Sequence, residues 1–338
     1  MNIFRSMFKQ RRSATLADGS AVFGAVFWCV YLLLDVISNG AMAGWIHRLF
    51  LLAPLVVVPL CLAIMLRLTD LGNSPLFGYA VWAQPLTAAC MVPAFGLRHP
   101  PLSFLTEHTY LAVLLTIPWL LFCGFLALAA GVYVLRKGVA RLSEAMCVLP
   151  VLFLQVGGFW LMIEQMGIRF MGITEPIRLL TGVHFHFTGF GALVLLAGVH
   201  ELFYRNQQLH RAMLTALAAA GGMAGIPLVA IGFLGPALVK STGVILLSVA
   251  MILGAVMLFQ AGQHIEKRFY AGCVRFAAGC LVIGMMLATV FQLTLHIGNP
   301  LLSIPVMTVT HGVLNGIGFM IFGLIGVRAG LIKQQEGS

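Results

Sequence analysis

Long apolar runs follow one another along most of this chain, each close to the roughly 20 residues that a helix needs to cross the hydrocarbon of a bilayer. Hydrophobic residues make up 60% of the sequence and charged residues only 9%, whereas soluble domains carry about 25% charged residues. The predicted fold is therefore all-α, a polytopic transmembrane helix bundle. Its ten predicted helices occupy residues 20–38, 49–67, 75–97, 108–135, 145–165, 182–204, 212–236, 243–262, 270–293 and 304–327.

Lysine and arginine are distributed unevenly over the loops, and this predicts the orientation of the chain. If the N-terminus is cytoplasmic, 5 of the 20 basic residues lie outside, which leaves 15 inside. Cytoplasmic loops normally carry the excess of basic residues, so both termini are predicted to be cytoplasmic. The net charge of +10 then reflects orientation, and no nucleic-acid partner is expected. The five outer residues are Arg48, Arg98, Arg169, Arg178 and Lys240.

A single membrane domain is predicted, because most of the loops are short and no soluble segment interrupts the helices. Residues 1–19 form a basic cytoplasmic segment, residues 20–330 the ten-helix transmembrane domain, and residues 331–338 a short cytoplasmic tail. The lipid bilayer is the expected partner of the apolar surface of this domain.

The last predicted helix carries polar residues where lipid-facing residues would be apolar. Thr308, His311 and Asn315 recur at i, i+3 and i+7, a spacing that places them on one helix face. Gly312 and Gly316 beside them allow a second helix to approach closely. This face either binds a ligand or hydrogen-bonds neighbouring helices as packing contacts, and the sequence leaves both interpretations open.

The sixth predicted helix begins with His184 and His186, two residues apart. On a regular helix their side chains point about 200° away from each other, so they serve different surroundings unless the first turn is irregular. We expect His186 to point inward towards a site shared with His311. His184 is expected to pair with Glu175 or a loop carbonyl. Two interfacial histidines that reach towards headgroups are the alternative.

Two further side chains complete the candidate set: Glu164 at the end of the fifth helix, and His296 after the ninth. Ionisable groups near the hydrocarbon are costly and usually face an interior or a cavity. A ligand or proton site is therefore predicted from His184, His186, His311, Asn315, Glu164 and Thr308. Because imidazole is a ligand for zinc, copper and iron, an alternative metal site is drawn from His186, His311, His296 and His184.

The run IRLLTGVHFHFTGFGALVL, followed downstream by HGVLNGIGF, resembles the YndJ-like family of bacterial membrane proteins. The resemblance covers most of the ten-helix body and implies a multi-pass protein of the bacterial cell (inner) membrane. The biochemical role of that family is not established, although its members are sometimes labelled transporters. The segment HFHF also looks like the His-Phe-His-Tyr of the haem–copper oxidase large subunit. This chain lacks the adjacent His-His pair of that subunit and has Phe187 at the tyrosine position.

Two functions of different classes follow from these residues. The first is a transporter or permease for a small solute or ion, with the histidines binding cargo or exchanging protons, since histidine titrates near pH 6.5. The second is a membrane-embedded redox protein or enzyme in which the same histidines hold a haem or a transition metal. A purely structural or sensory role is the remaining alternative.

Overall fold

The computed structural model describes residues 2–39, 44–98 and 108–336, with side chains over 12–37, 44–96 and 110–334. Ten helices follow one another in this part of the chain. They are α1 (Asn2–Asn39), α2 (Trp45–Leu68), α3 (Pro75–Arg98), α4 (His108–Lys137), α5 (Leu142–Met166), α6 (Ile177–Arg205), α7 (Leu209–Gly232), α8 (Ala237–His264), α9 (Arg268–His296) and α10 (Ile304–Gln334). The last helix continues to Glu336.

These helices confirm the predicted all-α, polytopic fold. Within the described residues, nine are long and apolar enough to cross a membrane. The remaining helix, α3, is long enough with 24 residues, but Gln84 and the internal prolines Pro85 and Pro93 make it less apolar. The predicted bounds agree with the observed ones to within a few residues for most helices.

Three helices begin five or more residues earlier than predicted, and one of them is α8, which starts at Ala237 where residue 243 was predicted. The first was placed at 20–38, but α1 already starts at Asn2 and continues through the basic segment. The sixth was placed at 182–204, but α6 starts at Ile177. Its first turn contains Arg178, whose charge is neutralised by an ion pair with Glu164, so the helix extends into a stretch that composition assigned to a loop.

The chain divides into two compact units, and it passes from one to the other just before α5, within α5 and within α6. Unit 1 comprises the described residues of Met1–Ala140 and Val151–His186. In it, α1 packs along α2 and against α3, and α3 packs along α4. The closest approach is at Gly24, where a side chain would clash with the carbonyl of Leu55. A glycine therefore permits α1 and α2 to touch backbone to backbone.

Unit 2 comprises Arg141–Pro150 and the described residues of Phe187–Ser338. Its helices pack mainly in chain order, with α7 on α8, α8 on α9 and α9 on α10. The second half of α6 packs against α7, α8 and α10, and the start of α5 packs against the same half of α6. Residues Leu193–Phe203 of α6 are all buried, so this half-helix forms the centre of unit 2.

Four stretches within the helices are π-helical, with the wider i→i+5 hydrogen bonding. They are Ala53–Val57 in α2, Phe185–Ala192 in α6, and Thr308–Gly312 and Leu314–Ile321 in α10. Such segments occur frequently at functional sites. The stretches in α6 and α10 contain His186, His311 and Asn315, three of the residues selected from the sequence.

Candidate functional site

His186 lies in the interior of unit 1, at 0% exposure. Its Nδ1 is 2.8 Å from the carbonyl oxygen of Gly182, and its Nε2 accepts a hydrogen bond of 3.1 Å from the indole Nε1 of Trp119. The ring of Phe50 meets it edge-on at 5.3 Å between centroids, and Gly157 leaves room for its Nδ1 edge. Residues from α2, α4, α5 and α6 thus enclose one imidazole.

His184 points to a different environment, in agreement with the divergence expected from helix geometry. Its side chain is exposed, and its Nδ1 lies 2.7 Å from the carbonyl oxygen of Leu180, one turn earlier in α6. The expected carbonyl partner is therefore a helix carbonyl and not a loop carbonyl. The two histidines of the HFHF segment serve separate surroundings, one at the surface and one in the core.

Two buried ion pairs stabilise unit 1, and of their four side chains the sequence had pointed only to Glu164 as a candidate site residue. Glu164 Oε2 accepts a hydrogen bond of 2.5 Å from Nε of Arg178, with both side chains almost fully buried. Asp35 Oδ2 accepts one of 2.6 Å from Nε of Arg48, which is completely buried. Arg48 and Arg178 were assigned to outer loops, where they would be solvated. The nearby acid in each case was the one signal that could have revealed them.

The carboxylate of Glu164 thus forms a buried structural contact with Arg178. Its arginine partner also donates from Nη1 to the carbonyl of Ile168 at 2.9 Å, and Nη2 lies 4.0 Å from Glu175. A carboxylate that neutralises a buried guanidinium is costly to remove, and without Glu164 the more distant and half-exposed Glu175 would be the acid left beside Arg178. The role of Glu164 as a cargo or proton site stays a prediction, and these contacts favour a structural role.

A second polar group, formed by His311 and Asn315, lies in unit 2. His311 Nδ1 is 2.8 Å from the carbonyl oxygen of Gly284 in α9, so the imidazole reaches across to the neighbouring helix. Asn315 Nδ2 donates to the backbone carbonyl of His311 at 2.8 Å and lies 3.3 Å from its Nδ1. A side chain on Gly284 would clash with the Asn315 amide, so glycine is required at this contact.

Asn315 also lines a small cavity of about 20 Å³ in unit 2, enough for one water-sized species. Two of the π-helical stretches contribute to its wall, with Phe187 and Thr188 from α6 and Phe319 and Met320 from the second stretch of α10. The hydrogen bonds of Asn315 to His311 run from its Nδ2.

The remaining candidates lie away from this group of contacts. The Thr308 hydroxyl donates to the carbonyl of Ile304 in its own helix at 2.9 Å, a bond that many helical threonines make. His296 is exposed at the end of α9, and its Nδ1 lies 3.4 Å from the Ser241 hydroxyl of α8.

The geometry does not fit the metal or haem site drawn from the histidines. Over the described parts of the chain, no group of three or more His, Cys, Asp or Glu side chains is arranged to hold a metal ion. Both ring nitrogens of His186 are already engaged, so this residue would have to give up a hydrogen bond to act as a ligand. His186 and His311 belong to different units, and their predicted coupling stays a prediction.

The helices and the buried polar groups define a multi-pass integral membrane protein. The family model described as YndJ-like protein matches residues 48–319, which include most of each unit and both polar groups. The chain therefore belongs to the YndJ-like family.

One curated relative is the uncharacterized membrane protein YndJ of Bacillus subtilis (strain 168), which is 24% identical over 210 residues. The match covers 62% of this chain and 37% of that protein, so the chain spans well under half the length of this relative. No solved structure matches the chain.

Proposed function

We propose that this protein is a transporter of a small solute or ion across the bacterial cell membrane, with the pair His311 and Asn315 as the contact for its cargo. The pair lies in π-helical stretches of α10 and is only half buried, and Asn315 lines a cavity. This combination is the observation that carries the proposal.

Polar groups inside an apolar span raise the free energy of inserting the helix into the membrane. A charge at the centre of a bilayer costs about 2.5–3.5 kcal/mol on insertion scales. Polar groups that persist there usually face an interior or a water-filled cavity and mark the path of a substrate or proton. Irregular helix segments within a membrane are tolerated where they are buried in protein or line such a cavity. The two π-helical regions that line the cavity of unit 2 satisfy that condition.

Histidine adds a possible coupling to protons. Histidine is the side chain that most often exchanges protons near neutral pH, and a change in the charge of His311 would alter its bond to the carbonyl of Gly284. We therefore propose that the protein also moves protons, either together with the cargo or as the cargo itself.

The direct test is uptake into vesicles that contain the purified full chain. The vesicles are incubated with a defined mixture of alkali-metal ions, copper(I) and small organic solutes, then washed, and their contents are measured by mass spectrometry. We expect at least one component to accumulate above the level in protein-free vesicles. Equal contents in both sets of vesicles for every component would contradict transport.

A further inference from the structure

We propose that the cavity in unit 2 binds a soft monovalent metal cation, copper(I) by its chemistry, through the thioethers of Met251, Met285 and Met320. The three residues come from α8, α9 and α10, and all line the same space. As an assignment of cargo the inference rests on the proposed transport function, but as a binding site it can be tested without transport.

The size of the cavity suits a single ion stripped of its water. Its volume of about 20 Å³ exceeds the roughly 10–15 Å³ that one water molecule requires, yet it is too small for an organic solute. The ion would therefore exchange its hydration shell for the side chains of the wall, and the chemistry of those side chains determines which ion is bound.

The wall offers soft and uncharged ligands. Thioether sulfur selects copper(I) over harder cations such as magnesium or calcium, which prefer carboxylate and carbonyl oxygen. The residues that line the cavity include no acidic or basic side chain, and the polar groups are those of Thr188 and Asn315. Because nothing in the wall neutralises charge, a monovalent cation is less costly to place there than a divalent one.

Methionine also fills gaps in apolar cores, because its unbranched side chain adapts to irregular space. Packing alone accounts less well for this site, since three methionines border a space that they leave unfilled. Met251 and Met320 are 1% exposed and Met285 is 7% exposed, so all three are held inside the protein. The thioethers are neutral and do not cancel the positive charge of the bound ion. The ion is therefore held less tightly than it would be by anionic ligands, as a cargo that must be released requires.

The site adjoins the polar pair described above. Asn315 lines the cavity, and His311, one turn earlier in α10, bonds to it and is only half buried. Imidazole is also a ligand for copper. His311 itself does not line the cavity, so it would contribute to copper(I) binding only as the neighbour of Asn315.

The test measures copper(I) bound to the purified full chain in detergent, under anaerobic reducing conditions and in competition with a chromogenic copper(I) chelator. The seven cysteines bind copper(I) as well, so the informative quantity is a difference between variants. The variant carries M251L, M285L and M320L together. The control is M257L, because Met257 is a buried residue of the same α8 and does not belong to the wall of the cavity.

We expect the triple variant to bind one copper ion fewer than the wild type, while M257L binds the same number. Leucine replaces methionine with nearly conserved volume at a cost usually below about 1.5 kcal/mol per site, and a melting curve checks folding. If the triple variant fails to fold, each single variant should weaken the competing affinity by about tenfold or more. Equal copper binding in the wild type and these variants would overturn the proposal. If the protein binds copper(I) but no component of the mixture accumulates in the vesicles, transport is refuted, while the copper(I) site remains supported.

Discussion

The indole Nε1 of Trp119 donates a hydrogen bond of 3.1 Å to Nε2 of His186, which assigns the protonation state of a buried imidazole. Nε2 must accept, since tryptophan is only a donor. Nδ1 must then carry the proton, because its partner is the carbonyl oxygen of Gly182. His186 is thus a neutral imidazole with both nitrogens satisfied, as a fully buried histidine in an apolar core requires.

Replacement of Trp119 by phenylalanine should destabilise unit 1. W119F leaves Nε2 of His186 buried without a donor, at a cost of about 1–3 kcal/mol, and removes part of a ring that contacts Phe122 at 4.9 Å. The measurement is the melting temperature in detergent. The control is W160F, because Trp160 is also buried but contacts Phe159 and Phe170 only through its ring. A melting temperature no lower for W119F than for W160F would show that the hydrogen bond contributes nothing.

Loss of the buried carboxylate in α5 should be far more damaging than loss of an exposed one. E164Q removes the nearer carboxylate from the Arg178 guanidinium, which is 5% exposed, and leaves only Glu175 at 4.0 Å. Breaking a buried pair in this way costs about 3–5 kcal/mol. E266Q removes the partner of Lys333 in a pair that is more than half exposed, where such pairs contribute about 0–1 kcal/mol. The losses in the two variants are measured as protein abundance in membranes and as melting temperature. Equal losses would contradict the structural role of Glu164.

The contact between α9 and α10 predicts a difference between two glycines of α9. In G284A the new methyl group would clash with the amide of Asn315, and relief of such overpacking typically costs about 1–3 kcal/mol. In G279A the methyl group meets no atom within 4 Å, so stability should stay level or rise, since alanine favours helix. Denaturant or thermal unfolding of the two variants distinguishes them. If G284A is as stable as G279A, the close approach at Gly284 is not present.

The orientation predicted from basic residues can be tested by labelling. Single cysteines near Arg136 and Arg205, on a background without native cysteines, should resist a membrane-impermeant thiol reagent applied to intact cells. Cysteines near Glu175 and Asn299 should react. Labelling in the opposite sense would place the histidine-bearing helix ends on the cytoplasmic side and remove the basis for an outer site.

The helical architecture could be read from the sequence because length and hydropathy determine it. A span needs about 20 apolar residues, and such runs are visible without any knowledge of packing. The opposite orientation of His184 and His186 followed from the same local geometry. A hydrogen bond from the polar face of the last helix to a neighbouring helix was one of the two interpretations drawn from the sequence. The partner of His311, the carbonyl of Gly284, was not predicted.

Other features depend on contacts between distant residues and have no local signal. Arg48 and Arg178 lie next to apolar runs, and only the positions of Asp35 and Glu164 in the folded unit make their burial possible. Trp119 and His186 are 67 residues apart. The three methionines of the cavity come from three helices, and in each helix alone they are ordinary apolar residues.

The central claim is that the polar pair of α10 acts on a cargo and does more than hold two helices together. The decisive measurement compares H311A with T310A in the vesicle uptake assay, at matched protein content and with melting curves for both. Thr310 is the exposed neighbour whose hydroxyl bonds only within its own helix, to Val306.

We expect H311A to abolish uptake while its abundance and melting temperature stay close to those of the wild type, and T310A to transport normally. A fall in abundance and stability of H311A that matches its loss of uptake would contradict the claim, because it would identify His311 as a packing residue.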